Sequence, residues 1–348
     1  MLDDLKFIHE KDPQDALGIA EKQWQQYTHK FEITWDSAGW QPSAIMLAGM
    51  GGSAQAAIAL SASASLKVPF EVVRNYDLPA HVNMGYLLIC SSYSGNTEET
   101  LSALNQALEM SAQEQPKIIV MAAGGRLKEI AAEKNLSFIE LPQTGQPRYS
   151  FGYQFAALSQ LFEKLGLMSG VESRMQKISE SVKSGVAEWR ADVSTKDNLA
   201  KTIANEVVGK SMVIYSGPKL FPAAYKWKID FNENAKNVAW CNQYPEFNHN
   251  EFIGWSSHPI QKPYGIIELK SQHEHPRVQK RFEVSNRLLS GQWPSPVVVD
   301  IPKGDTVFED LAWAVALGDM TTIYVGMLNG VNPTPVDLVE KFKEELDK

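Results

Sequence analysis

Two short segments carry hydroxyl and glycine residues at the spacing an anion would need. Ser92-Tyr93-Ser94-Gly95-Asn96-Thr97 follows the apolar run Tyr86–Cys90 and leads into Glu98-Glu99-Thr100. Gly49-Met50-Gly51-Gly52-Ser53 follows the apolar run Ala44–Ala48. Glycine lets main-chain N–H groups approach a ligand closely, and the N-terminus of a helix favours negative charge. One capped helix needs one hydroxyl. Ser92, Ser94 and Thr97 together, beside a second turn offering Gly52 and Ser53, point instead to a bound phosphate, with Ser53 also expected to cap the helix that follows it. The glycine turn alone says less, because it lacks the lysine of a P-loop and the G-x-G-x-x-G pattern fails at Ala54.

Four charged positions could act on whatever the phosphate holds. Glu233 falls near the end of a helix predicted over 219–235, where a packed carboxylate can serve as a general base. Arg148 lies in a loop stiffened by Pro147, where a guanidinium can stabilise a developing oxyanion. His249 stands between Asn248 and Asn250 in a polar turn after Pro245, and histidine titrates near neutrality. A last helix predicted over 336–346 carries Lys341 and Lys343, with Val336, Val339, Phe342 and Leu346 forming an apolar stripe expected to pack. By spacing alone, each of these charges reads equally as an ordinary solvated side chain.

His9, His29, His81, His258, His273 and His275 show no ligand spacing beyond the weak His273-Glu274-His275-Pro276 run, so no metal is expected. Cys90 and Cys241 are far apart, form no CxxC pair and read as buried free thiols, which fits a reducing cytoplasm. Charged residues make up 21% of the chain and the net charge is −8, which argues against a nucleic-acid partner. The N-terminus does not read as a signal peptide, and no run of the ~18 apolar residues needed to span a bilayer is expected. A cytoplasmic protein with no membrane partner is the expectation.

The elements that must position these residues follow from the apolar pattern. Runs at 44–48, 70–74, 86–90, 117–121 and 137–141 alternate with helical stretches at 53–65, 97–110 and 126–134. Buried strands alternating with helices give right-handed crossovers and a parallel sheet covered on both faces, a doubly wound α/β domain. Ligands in such sheets sit beyond the carboxyl ends of the strands, where both loops fall. A helix over 151–165 and a polar helical stretch over 171–208, broken at Gly170 and Ser184-Gly185, lead into a second half. There, strands at 212–216, 238–241, 265–269 and 297–300 and helices at 219–235, 275–289, 305–325 and 336–346 predict a second domain of similar architecture. The 348 residues exceed the roughly 250–300 that one core supports, so two domains are expected, 1–165 and 166–348.

Ser92-Tyr93-Ser94-Gly95-Asn96-Thr97 resembles the S-x-S-G-x-T phosphate loop of the sugar isomerase (SIS) domain. Nearly the whole chain is similar to one branch of that superfamily, the bifunctional phosphoglucose/phosphomannose isomerases. The second half contributes Asn232-Glu233-Asn234-Ala235-Lys236 and Pro245-Glu246-Phe247-Asn248-His249-Asn250-Glu251 to the match. The resemblance implies two SIS-type domains, with a C-terminal helix returning to the active site. It implies a metal-independent enzyme with no cofactor, interconverting glucose 6-phosphate, and mannose 6-phosphate as well, with fructose 6-phosphate through a cis-enediolate. Gly52, Ser53, Ser92, Ser94 and Thr97 would hold the phosphate, Glu233 transfer the proton, Arg148 stabilise the enediolate, and Lys343 or its close competitor Lys341 assist ring opening. His249 would enter from the neighbouring subunit, making the unit a homodimer. A non-catalytic sugar-phosphate sensor and an isomerase of another sugar phosphate are the competing readings. Gln55, where smaller residues are usual, would add a contact or face solvent.

Overall fold

The computed structural model describes residues 1–35, 39–256 and 263–346, so His258 lies outside the described residues. Among the described residues nine strands form two parallel sheets. The first contains β1 (Ala44–Ala48), β2 (Phe70–Val73), β3 (Tyr86–Ser91), β4 (Lys117–Ala122) and β5 (Ser137–Glu140), in the order β2-β1-β3-β4-β5. The second contains β6 (Ser211–Ser216), β7 (Ala239–Gln243), β8 (Tyr264–Lys270) and β9 (Val297–Asp300), in the order β7-β6-β8-β9. The α/β class with two doubly wound parallel sheets is as the apolar pattern predicts.

The sequence makes these strands because each central one is apolar on both faces. Every residue of β1 is buried, as is all of β3 after Tyr86. Helix Glu98–Glu109 turns Thr100, Ala103, Leu104 and Ala107 inward, the three-to-four spacing of a single face. Ala103, Leu104 and Ala107 meet Met46, Leu88, Val120 and Leu127 in one core cluster. Fully burying each such leucine or methionine contributes about 1.5–3 kcal/mol relative to leaving it in water.

The chain divides into two compact units, Gln23–Glu180 and Met1–Lys22 with Ser181–Lys348. The split differs from 1–165 and 166–348 at both ends. The first residues join the second unit through Asp3, whose carboxylate accepts from Thr195 N and Oγ1, each at 2.8 Å, and from Lys201 Nζ at 3.3 Å. The later boundary falls inside helix Val171–Trp189, which runs unbroken through Ser184-Gly185. Gly185 serves packing there: a Cβ would lie 2.7 Å from the Trp189 ring and 2.8 Å from Trp313 Nε1, in the contact where those rings meet edge-on at 4.8 Å.

Two further expectations change. Helix Val307–Leu328 is long and apolar enough to cross a membrane by length and composition, contrary to the expectation of no such run, yet 94% of its apolar window is buried as a core helix. Helix Asp337–Leu346 forms as predicted but buries none of its residues. Its stripe does not pack: Val339 is 48%, Phe342 62% and Leu346 54% exposed.

Candidate active site

In the first sheet the strand order reverses between β1 and β3, which pair in parallel with Ala48 opposite Cys90. The two loops suspected of holding phosphate therefore emerge side by side at the switch point. They are stitched together, with Tyr93 N donating to Ser53 Oγ at 2.9 Å and Ser91 Oγ donating to Ser53 O at 3.2 Å. Ser53 thus does not cap helix Gly52–Ser63, whose N-cap is Gly51 without a side-chain bond. Ser53 lies one residue inside that helix, and its hydroxyl is taken by the neighbouring loop.

Ser92 is the centre of the second loop. Its side chain is fully buried, and its Oγ lies 2.8 Å from Thr97 Oγ1 and 3.4 Å from Ser94 Oγ while accepting from Gly95 N at 3.1 Å. Ser94 is exposed and accepts from Asn96 N at 3.2 Å. Thr97 is the N-cap of helix Glu98–Glu109, yet its side chain makes no cap bond. The ordinary capping explanation for these hydroxyls fails, because none of them is spent on the helix. They gather instead at its uncapped, positive end.

The loop is held from behind by the turn after β4. Gly95 has φ +74° and a Cβ there would meet Gly124 O at 1.8 Å, so only glycine fits. Ala123 N donates to Tyr93 O at 3.0 Å, Leu127 N to Gly95 O at 2.9 Å and Arg126 N to Asn96 Oδ1 at 2.9 Å. The backbone is thereby fixed on three sides before any ligand arrives.

Arg148 belongs to the same unit and is only 1% exposed, which removes the surface-arginine reading. Its guanidinium stacks over the Tyr149 ring at 4.8 Å and donates to Gln146 Oε1 at 3.3 Å. The short 3-10 turn Pro147–Ser150 rests on the glycine turn, since a Cβ on Gly52 would lie 3.0 Å from Pro147 C and 3.1 Å from Arg148 N. Gly52, Ser53, Ser92, Ser94, Thr97 and the Arg148 backbone are thus gathered at one end of the first sheet.

The remaining candidates sit in the other unit on three separate elements. Half-buried Glu233 ends helix Phe221–Glu233, and its carbonyl accepts from Lys236 Nζ at 2.6 Å. His249 is exposed at the end of the 3-10 turn Glu246–His249. Its neighbours are anchored: Asn248 donates to Ser285 Oγ at 2.8 Å and accepts from Arg281 at 3.1 Å, and Glu251 accepts from Asn242 at 2.6 Å and from the Tyr215 hydroxyl. Lys343 lies on the exposed last helix, paired with Glu340 at 2.8 Å, and Lys341 is exposed beside it.

The second sheet reverses between β6 and β8, so the equivalent crevice lies there. It holds a carboxylate of the chain itself. Glu274 Oε1 accepts from Lys219 N at 2.8 Å and Leu220 N at 3.2 Å, and a Cβ on Gly217 would collide with that carboxylate. Burial raises the Glu274 pKa, against the lowering effect of these two amides. Among the described residues no group of three or more His, Cys, Asp or Glu is placed to hold a metal ion. In the 273–276 run, His273 Nε2 lies 3.0 Å from Gly304 O and His275 Nδ1 accepts from Arg277 N at 3.0 Å.

Comparison with known proteins places this geometry. Residues 196–346 match the bacterial phospho-glucose isomerase C-terminal SIS domain. The bifunctional phosphoglucose/phosphomannose isomerase of Aquifex aeolicus is 31% identical over 309 residues, 87% of this chain and 90% of that protein. The chain belongs to the bifunctional phosphoglucose/phosphomannose isomerase family. A D-glucosamine-6-phosphate 4-epimerase of Sulfolobus acidocaldarius is 36% identical over 200 residues, 55% of this chain and 61% of the epimerase. The crystal structure of a putative phosphosugar isomerase from Clostridium difficile 630 superposes with a TM-score of 0.70 at 15% identity, over 94% of this chain and 97% of that one, which speaks to the fold alone.

Within this family fold, several structural contributors escaped sequence reasoning. Tyr93 reaches away from the cradle, its hydroxyl donating to Gln143 at 3.3 Å and accepting from Thr144 Oγ1 at 3.2 Å, so it ties the 141–146 segment to the phosphate loop. Gly124-Gly125 directly after an apolar strand was the available signal for the rear clamp. Gln55 does not face solvent: it is 1% exposed, and among the described residues neither its amide oxygen nor its nitrogen has a hydrogen-bond partner.

Proposed function

We propose that the chain isomerises sugar phosphates, interconverting glucose 6-phosphate and mannose 6-phosphate with fructose 6-phosphate. The observation that carries this reading is the cradle at the β1/β3 switch point, where three hydroxyls converge on an uncapped helix N-terminus without capping it. A phosphate anchored there supplies binding energy remote from the reacting carbons and orients C1 and C2. Glu233 removes the C2 proton and returns it to C1, the ring-opened sugar passing through a cis-enediolate, and the Arg148 guanidinium stabilises the enediolate oxygen. The two aldoses differ only at C2, so a base able to serve either face accepts both. Lys343, with Lys341 as its competitor, and His249 handle the ring oxygen and O1 protons.

His249 is proposed to serve a neighbouring subunit of a homodimer, a reading supported by its exposure on a turn whose flanking residues are anchored. A cytoplasmic location is proposed from the two cysteines, both of which are free thiols. The test is fructose 6-phosphate formation from both aldose phosphates, with and without a chelator, in the wild type and in Glu233→Gln. Turnover of both substrates, insensitive to chelation and abolished in Glu233→Gln with sugar-phosphate binding retained, is expected. Binding without turnover in the wild type would make the protein a sensor. Mixing inactive His249→Ala with inactive Glu233→Gln should restore part of the activity if sites are shared between copies.

A second reading draws on the epimerase relative: glucosamine 6-phosphate would be the substrate and C4 the reacting centre. Incubation with glucosamine 6-phosphate, followed by NMR of the product, separates the two.

A further inference from the structure

Lys226, Asp230 and Asp319 form an ion triad that the proposed chemistry does not use. Lys226 Nζ lies 2.6 Å from both Asp230 carboxylate oxygens and 2.6 Å from Asp319 Oδ1, and the three residues are 1%, 0% and 3% exposed. Burying such a cluster confers little net stability, since apolar residues of similar volume often do as well or better. What it supplies is direction, because an ion pair at this distance has one geometry and an apolar contact has many.

The triad lies on a stripe that leads to Glu233. Positions 226, 230 and 233 are spaced four and three along helix Phe221–Glu233, so they share one face on successive turns. A matching stripe runs along helix Val307–Leu328, and the two helices meet in parallel order. Trp227 Nε1 donates to Ala314 O at 2.7 Å, and a Cβ on Gly318 would lie 2.4 Å from that nitrogen. Next comes the Lys226–Asp230–Asp319 triad. Beyond it, Asn234 Nδ2 donates to Thr322 Oγ1 at 3.0 Å, and a Cβ on Gly326 would meet Asn234 O at 2.6 Å. Each contact fixes the axial register of one helix against the other, and the last two bracket Glu233.

We propose that Lys226, Asp230 and Asp319 are positioning residues that set the height and rotation of Glu233 by locking the register of helix Phe221–Glu233 against helix Val307–Leu328. The inference rests on Glu233 being the proton-transferring base. Burial alone would drive Lys226 toward neutrality, but the two facing carboxylates outweigh it and keep its pKa raised. Burial, helped by Asp319, raises Asp230 well above the ordinary carboxylate value against the pull of Lys226.

The test compares Lys226→Met/Asp230→Leu/Asp319→Leu, an apolar replacement of the whole triad, with Asp319→Asn and with Glu233→Gln, each assayed for fructose 6-phosphate formation and thermal stability. For the triple variant the expected result is a Tm at or above wild type, a KM within about twofold, and a kcat lowered on the order of 10²-fold, the cost of about 1 Å of misplacement. Asp319→Asn replaces the charged contact to Lys226 with a neutral one and should lower kcat about three- to tenfold with KM unchanged, so it tests register even if the triple variant fails to fold. A kcat within twofold of wild type in a folded triple variant, or an Asp319→Asn defect confined to Tm, with Glu233→Gln inactive, overturns the positioning role. An active Glu233→Gln overturns the assignment of the base instead.

Discussion

Ser92 and Ser94 are two residues apart in the same motif, yet the structure assigns them different work, and their alanine variants should separate it. Ser94 is exposed, and among the described residues its hydroxyl bonds within its own loop, to Ser92 Oγ at 3.4 Å and from Asn96 N at 3.2 Å. Removing its hydroxyl should leave stability within about 0.5 kcal/mol of wild type, as for surface positions generally. A hydrogen bond to a charged group is worth about 1.5–3 kcal/mol, so losing one to phosphate should raise KM roughly 10- to 150-fold. Ser92 is fully buried and orients the others through Thr97 Oγ1 at 2.8 Å and Gly95 N at 3.1 Å. Because Gly95 N also donates to Ser92 O at 3.1 Å, Ser92→Ala does not orphan that amide, and the stability loss should stay near the ~0.5–1.5 kcal/mol of an ordinary buried hydrogen bond.

The assay pairs a urea titration with steady-state kinetics on glucose 6-phosphate. Ser92→Ala should show both a lower urea midpoint and a raised KM, whereas Ser94→Ala should show only the second. A Ser94→Ala protein with KM within twofold of wild type would refute the cradle. A Ser92→Ala protein with wild-type KM and reduced stability would reduce that serine to a core residue.

Gly95→Ala should lose the phosphate site altogether, with KM raised more than tenfold, because its Cβ would overlap Gly124 O at 1.8 Å and a φ of +74° costs a further ~1–2 kcal/mol. Gln55→Met should raise the urea midpoint by about 1 kcal/mol equivalent, since it removes a buried amide with no partner for either atom. Glu274 has a folded pKa raised above the ordinary 4.5, so its contribution is full below that value and is lost as pH rises through the folded pKa. Measured by urea melts, wild type should therefore lose stability relative to Glu274→Gln as pH rises from 4.5. Burial pushes the Cys90 thiol up to about 12 and the Cys241 thiol up to about 11, so neither should be alkylated by iodoacetamide in the native protein at pH 7.

The strands were legible because β1, β3 and β4 are apolar on both faces, a pattern set by burial in the sheet and nothing else. The gathering of hydroxyls at the start of helix Glu98–Glu109 was legible because Ser92, Ser94, Gly95 and Thr97 are local in the chain. What escaped depends on neighbours distant in sequence. Ser184-Gly185 reads as a helix breaker until Trp189 and Trp313 are seen to need the missing Cβ. Ser53 reads as a cap until Tyr93, forty residues on, claims its hydroxyl. The stripe Val339, Phe342 and Leu346 has the period of a packed face, but periodicity reports only that a face is apolar and says nothing of whether the same chain covers it.

The two sheets share a topology at their switch points and differ in what they present there, so the fold alone does not say where an anion binds. At β1/β3 the chain offers hydroxyls and an uncapped helix end. At β6/β8 it offers the Glu274 carboxylate, already engaged with the amides of Lys219 and Leu220. A phosphate brought within 4 Å of that carboxylate would meet a repulsion of about 4 kcal/mol per unit charge at an effective dielectric of 20, and would find two of the crevice's amides taken. That difference favours the first sheet for the proposed phosphate site.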